Sequence, residues 1–170
     1  MARSAVFVVA QQGFRDEELL IPAEILRSRG IKTAIASKSE GPALGKLGAQ
    51  VEANLALPSV LVKDFDAIIF VGGPGARGYF EDEAALKLAQ NFQKAGKIIG
   101  AICVAPSILA NAGVLLGKEA TAFPSEEENL RNRGADYTGM PLATDGLIVT
   151  AKGPEAAKDF GEKIAYLLED

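Results

Sequence analysis

Three apolar runs limit what this chain can fold into: "AVFVV" (5–9), "DAIIFV" (66–71) and "KIIGAIC" (97–103). Each is long enough for one strand, and "DAIIFV" is continuous in the way expected of a strand covered on both faces. Each is followed by a turn and then by a helical pattern. "DEELLIPAEILRSRG" follows the first, with Gly30 as its stop signal. After the second, Ala85, Leu88, Ala89 and Phe92 recur at helical spacing between Asp82 and Lys94. After the third, Pro106 suits a first helical turn and Gly113 a C-terminal cap. Strands alternating with helices predict a mostly parallel sheet with helices on both faces, a doubly wound α/β sandwich.

The remaining segments fit that plan. "IKTAIAS" reads as a further strand, and the Gly- and Pro-rich stretch from Glu40 to Leu57 as a loop with small antiparallel strands. "EATAF" predicts another strand, and Ser125 with Glu128 has the spacing of a capping box that opens a helix ending at Gly134. Asp145-Gly146 between apolar runs predicts a small two-residue hairpin. A last helix from Glu155 places Ala157, Phe160, Ile164 and Leu168 on one side. With 170 residues, 48% of them hydrophobic, the chain suffices for one buried core, so a single domain over 1–170 is expected.

Composition removes several function classes. Eighteen basic against twenty-two acidic residues give a net charge of −4 without any block of like charge, which offers nucleic acid little. One cysteine cannot form an intramolecular disulfide, and the N-terminal "MARSAVFVVAQQGF" lacks the pattern of a signal peptide, so a reducing cytoplasm is expected. Ile98 to Leu116 carries no charge, yet Gly100, Pro106, Ser107, Asn111 and Gly113 punctuate it. It predicts a strand, a turn and a short buried helix rather than a membrane span. "GPGARG" (73–78) satisfies G-x-G-x-x-G, but a dinucleotide site also wants an acidic residue at the end of the next strand, where Cys103 stands. No cofactor is expected.

Ligands in such sheets bind beyond the C-terminal ends of the strands. Three features fall there and should converge: the "QQGFRDEE" turn, the "GGPGARG" loop and Cys103. Cys103 stands in the frame Ala101-Ile102-Cys103-Val104-Ala105, whose small residues two positions before and after suit a nucleophile elbow. At a helix N-terminus, the macrodipole and free N–H groups favour a thiolate. The alternative is a small apolar side chain filling the core.

Activation is the difficulty, because the chain has no histidine. That excludes a Cys-His dyad, a Ser-His-Asp triad and any histidine-based metal site within the chain. Glu18 is the candidate proton carrier. Ile21, Pro22, Ile25 and Leu26 share its helix face, so its carboxyl should be buried and its pKa raised. Pro22 should also distort the helix at the Glu18 carbonyl. Arg15, Asp16 and Glu17, in the first turn, are expected to face water. Alternatively, Glu18 is only an N-terminal acid interacting with its helix dipole. The amides of Gly72, Gly73 and Gly75 can form an anion-binding concavity, with an oxyanion lying between them and the Val104 amide. The alternative is a tight turn that ends a strand.

The segments "EELLIP", "VGGPGARGYF", "IIGAICVAP", "ATAFP" and "DGLIVTAKGP" resemble, in order and spacing, the ThiJ/PfpI superfamily, especially the branch of the parkinsonism-associated deglycase. The resemblance runs from about Phe7 to about Leu167. It implies a flavodoxin-like sandwich, commonly a homodimer. It further implies Cys103 as nucleophile, Glu18 as the buried acid beside the sulfur, and Gly72, Gly73 and Val104 as oxyanion-binding amides. Two positions depart from the family: Val104 where the peptidase-like branch has histidine, and Phe123 where the deglycase branch has histidine. A peptidase must protonate an amine leaving group, so peptidase activity is not expected. The resemblance leaves two expectations: slow, cofactor-free chemistry on a small aldehyde or glycated substrate, or a non-enzymatic oxidation sensor or stress protein acting through a Cys103 sulfinate.

Overall fold

The structure is a computed structural model and describes residues 2–169. Four strands from the apolar segments form the centre of one sheet: β1 (Ser4–Val8), β3 (Lys32–Ser37), β7 (Ala67–Phe70) and β8 (Ile98–Ile102). Its full order is β11-β12-β8-β7-β1-β3-β6, completed by β6 (Leu55–Ala56), β11 (Leu142–Asp145) and β12 (Ile148–Ala151). All neighbours are parallel except β11, which pairs antiparallel with β12 at the edge. The architecture is the mostly parallel, flavodoxin-like α/β sandwich.

Alternation along β1 builds both faces of the core. Val6 and Val8 point to one side, with Ile68, Phe70 and Ile99, and are covered by α2 (Glu83–Lys94) and α3 (Pro106–Asn111). Ala5, Phe7 and Val9 point to the other side, with Ile69 and Ile102, under α1 (Asp16–Ser28) and α5 (Ala157–Glu169). The helix α1 runs uninterrupted through Pro22. Pro22 meets α5 at Gly161, where a Cβ would lie 2.9 Å from the Pro22 Cα, so the missing side chain allows the two helices to approach.

Away from the sheet, β2 (Gln12–Phe14) pairs with a hairpin made of β4 (Gly41–Gly45) and β5 (Gln50–Ala53), the small antiparallel strands expected there. The remaining elements are β9 (Glu119–Ala120), α4 (Glu127–Asn132) and β10 (Asp136–Tyr137).

Three local expectations are corrected. The strand expected at "EATAF" shrinks to β9, which pairs only with β10 outside the main sheet. Ser125 does not cap α4: it lies in a 3-10 turn (Pro124–Glu126), and its Oγ donates to the Glu126 carboxylate at 2.6 Å. The hairpin turns on Gly146-Leu147 rather than Asp145-Gly146, because Asp145 pairs with Ile148. Gly146 at φ 62° takes the first central position of the turn. The glycine loop itself winds into a 3-10 turn (Pro74–Tyr79), and α2 follows from Glu83, in line with the helical spacing between Asp82 and Lys94. Among the described residues, no helix is long and apolar enough to cross a membrane.

Candidate active site

The turn after β8 carries the site. Cys103 has φ 66° and is the one described non-glycine residue with positive φ. An L-residue there costs roughly 1–2 kcal/mol, so the surroundings must hold it. They do so through both of its peptide groups. The Cys103 N–H donates to the Ala151 carbonyl at 2.9 Å, and its carbonyl accepts from the Phe123 N–H at 2.8 Å. Strand, strained residue and helix start form the elbow expected from the Ala-Ile-Cys-Val-Ala frame.

The three expected features meet at this turn. The Arg15 N–H, at the start of α1, donates to the Gly72 carbonyl at 2.9 Å and ties the helix to the glycine loop. One turn into α1, Glu18 is completely buried. A Cβ on Gly72 would lie 2.5 Å from the Glu18 Oε1, 2.6 Å from the Cys103 Cβ and 2.6 Å from the Ile102 carbonyl oxygen. Gly72 is therefore the contact point of acid, thiol and loop, and only glycine fits. Gly73, at φ 101°, is pressed against the Gly13 carbonyl and the Arg15 amide. Gly75 packs against Gln12 and Gly13.

The amides divide between two groups. Those of Gly73 and Val104 face the Cys103 sulfur, whereas that of Gly72 borders the Glu18 carboxyl. Neither Glu18 oxygen has a partner in hydrogen-bonding geometry, although the thiol and the Gly72 N–H lie beside them. An ionised carboxylate so placed is costly. Burial accordingly pushes the Glu18 carboxyl up to about 7, while the Cys103 thiol, the Arg15 guanidinium and the Gly72 amide act in the opposite direction. Burial also pushes the Cys103 thiol up to about 12, with the Glu18 charge as the next cause. The thiolate expected from the helix N-terminus is thus corrected. The Gly73 and Val104 amides do favour it, but burial and the neighbouring carboxylate outweigh them. Two acids in contact titrate as a pair. Near neutral pH this pair loses its first proton, chiefly from Glu18.

Above the sulfur lies a cavity of about 420 Å³ whose lining includes Arg15, Lys46, Arg77, Phe123 and Glu155. Arg15 is not a bystander in water: it lines this cavity while paired with Glu17 through two 2.9 Å bonds. Asp16, also expected at the surface, is buried and accepts from the Leu47 and Ala49 amides at 2.8 and 2.7 Å. Arg77 pairs with the buried Glu126 at 3.2 Å, and Glu126 accepts from the Ser107 hydroxyl at 2.7 Å. The buried stripe of α1 runs through Glu18, Leu19, Pro22, Ala23 and Leu26, so Ile21 and Ile25 stand further out than expected.

A family model described as DJ-1/PfpI matches residues 3–167. The chain belongs to the DJ-1/PfpI family. Among its family relatives, a deglycase of Pyrococcus abyssi is 32% identical over 149 residues, covering 88% of this chain and 90% of the relative. A glutathione-independent glyoxalase of Caenorhabditis elegans is 28% identical over 98% of this chain and 89% of its own length. The crystal structure of a ThiJ/PfpI domain protein from Brachyspira murdochii superimposes with a TM-score of 0.97 at 33% identity, covering 99% of this chain and 97% of that one. Relatives in this DJ-1/PfpI family thus carry the names deglycase and glutathione-independent glyoxalase.

Proposed function

We propose that the protein is a cofactor-free, Cys103-dependent enzyme acting on small reactive aldehydes, converting methylglyoxal to lactate or releasing it from glycated substrates. The observation that carries this reading is the contact of Cys103 with a fully buried, unpartnered Glu18 at the floor of an open cavity. With its pKa near 7, Glu18 is poised to accept a proton at neutral pH and to return it. The Cys103 sulfur attacks the aldehyde carbon as its proton passes to Glu18, and the new oxyanion is held by the Gly73 and Val104 amides. Glu18 returns that proton to the oxyanion and, ionised again, moves a proton from the former aldehyde carbon to the adjacent carbon through an enediol, while the hydroxyl proton passes to the neighbouring oxygen. This leaves a lactoyl thioester on Cys103, and water releases lactate and restores the thiol.

Phe123 occupies the wall of this cavity and offers no proton, so turnover is slow; a missing acid–base group typically costs about 10²- to 10⁴-fold. Lactate production from methylglyoxal by wild type and Cys103→Ser is the test. Wild type is expected to produce it and the serine variant to lose it, and equal rates would end the reading.

A second reading is favoured by the same unpartnered carboxyl. Two equivalents of peroxide would take the Cys103 thiol to a sulfinate, to which a protonated Glu18 can donate. Intact mass then shows a stable gain of two oxygens, absent from Cys103→Ser; direct progress to the sulfonate counts against it. In either reading the chain acts as a homodimer. In support, Leu20 and Ile21 on α1 are exposed, as are Leu44 and Leu47 on the β4–β5 hairpin that Asp16 ties to that helix. Sedimentation should give a dimer for wild type and a monomer for Leu47→Glu; a wild-type monomer would refute it.

A further inference from the structure

The space above Cys103 does not end at Phe123. Phe123 is 44% exposed and lines two cavities at once: the one over the sulfur, of about 420 Å³, and a second of about 510 Å³. Pro154 and Glu155 are likewise common to both, so the two spaces share one wall. The far cavity is walled by Phe123, Pro124, Pro141, Gly153, Pro154 and Ala156, with charged side chains from Lys152, Glu155 and Asp159. Lys152 is already engaged, donating from Nζ to the Gly139 carbonyl at 3.3 Å.

Each space falls in the size range of sites for much larger ligands, roughly 300–1,000 Å³. A three-carbon aldehyde on Cys103 would leave most of the first cavity and all of the second empty. Much of the far cavity's wall is built of rings: Phe123 and three prolines line it, Phe123 and Pro154 facing the sulfur-side cavity as well, and proline loses almost no side-chain freedom when a ligand settles against it. The Phe123 backbone is fixed to the reactive residue by its 2.8 Å bond to the Cys103 carbonyl, so the residue that carries the ring is anchored beside the elbow. Gly153 keeps the far cavity open beside that ring. A Cβ there would meet only the Phe123 Cδ1, at 3.9 Å, and its extended backbone (φ 177°) accepts any residue.

We propose that the cavity beyond Phe123 is a second binding subsite, which takes a planar aromatic substituent of the molecule whose carbonyl reacts at Cys103. The ring of the ligand packs against Phe123 and the prolines, and its reactive carbon reaches the sulfur. The substrate class is then aryl-substituted 2-oxoaldehydes rather than methylglyoxal alone. This rests on the Cys103 reading for the chemistry, but not for the binding.

The lone cysteine makes the test direct. Iodoacetamide and its N-phenyl analogue each alkylate a thiol by forming an S–C bond as iodide leaves, and intact mass counts the event without any turnover. Each rate is divided by that of glutathione with the same reagent at the same pH. Wild type is expected to favour the phenyl reagent at least tenfold after this correction. Gly153→Val, which sets a branched side chain against Phe123 inside the far cavity, and Phe123→Ala, which removes the ring, should each bring the ratio to within twofold of one. A wild-type ratio near one, or a preference that survives both substitutions, would overturn the subsite. Phenylglyoxal and methylglyoxal are then compared as substrates. Aromatic preference in alkylation with no turnover of either aldehyde keeps the subsite and sinks the enzyme reading. Turnover with no aromatic preference in either assay does the reverse.

Discussion

Cys103 and Glu18 act as one titrating unit, and reactivity follows the carboxyl rather than the thiol. Burial keeps the thiol protonated to about pH 12, so at neutral pH the attacking sulfur must lose its proton to a neighbour as the bond forms. Glu18 can take it only when ionised, which happens as pH rises through about 7. The rate of Cys103 alkylation should therefore climb between pH 5 and 8 with a midpoint near 7. Glu18→Gln should remove that climb and slow the reaction at pH 8 by about 10²- to 10⁴-fold. A wild-type profile that stays flat to pH 8 and then follows thiol ionisation alone would show that Glu18 is not the base. Both residues were legible in the sequence, for local reasons. The elbow frame needs only the small neighbours of Cys103, and the burial of Glu18 follows from Pro22 and Leu26 on its own helix face, with Ile21 and Ile25 standing further out. Asp16 was not legible, because the amides it accepts belong to Leu47 and Ala49 in a hairpin distant in sequence.

At the level of elements, that hairpin shows how a remote segment is recruited to the site. The Lys46 amide donates to the Phe14 carbonyl at 2.8 Å, and Asp16 holds the two amides on either side of Gly48. A Cβ on Gly45 would lie 2.6 Å from the Asp16 carboxyl carbon, so the turn and the start of α1 are fitted together. This lock brings Lys46 over the Cys103 cavity. Asp16→Ala leaves both amides without their acceptor and should cost about 1–3 kcal/mol of stability. Hydrogen exchange at Leu47 and Ala49 should speed up selectively in that variant, and unchanged protection at both would refute the lock. The helices and central strands follow the sequence periodicity closely because their packing is dictated by their own apolar pattern. The segment around Ser125 does not, since the Ser125 hydroxyl finds the buried Glu126 carboxylate and leaves the helix start uncapped. Capping-box spacing alone cannot show that competing acceptor.

Across the whole molecule, the site exists at the expense of stability, in a pH window opposite to that of most carboxylates. Glu18 holds its proton more tightly when folded, to about pH 7, than at its ordinary value of 4.5. Between those values the folded chain binds more protons than the unfolded chain, so stability falls as pH rises through the window. The loss attributable to this one group is about 3 kcal/mol and is complete above pH 7. Cys103 has the same sign at higher pH, because its thiol titrates at about 12 when folded against an ordinary value of 9. Denaturant unfolding of wild type and Glu18→Gln at pH 4.5 and pH 8 isolates the carboxyl. The glutamine amide is also buried without a partner, but that cost is the same at both pH values and cancels in the comparison. Wild type should lose about 3 kcal/mol more than the variant on going from pH 4.5 to pH 8. Parallel losses in the two proteins would mean that Glu18 titrates normally, and the argument for it as a proton carrier at neutral pH would fail with it.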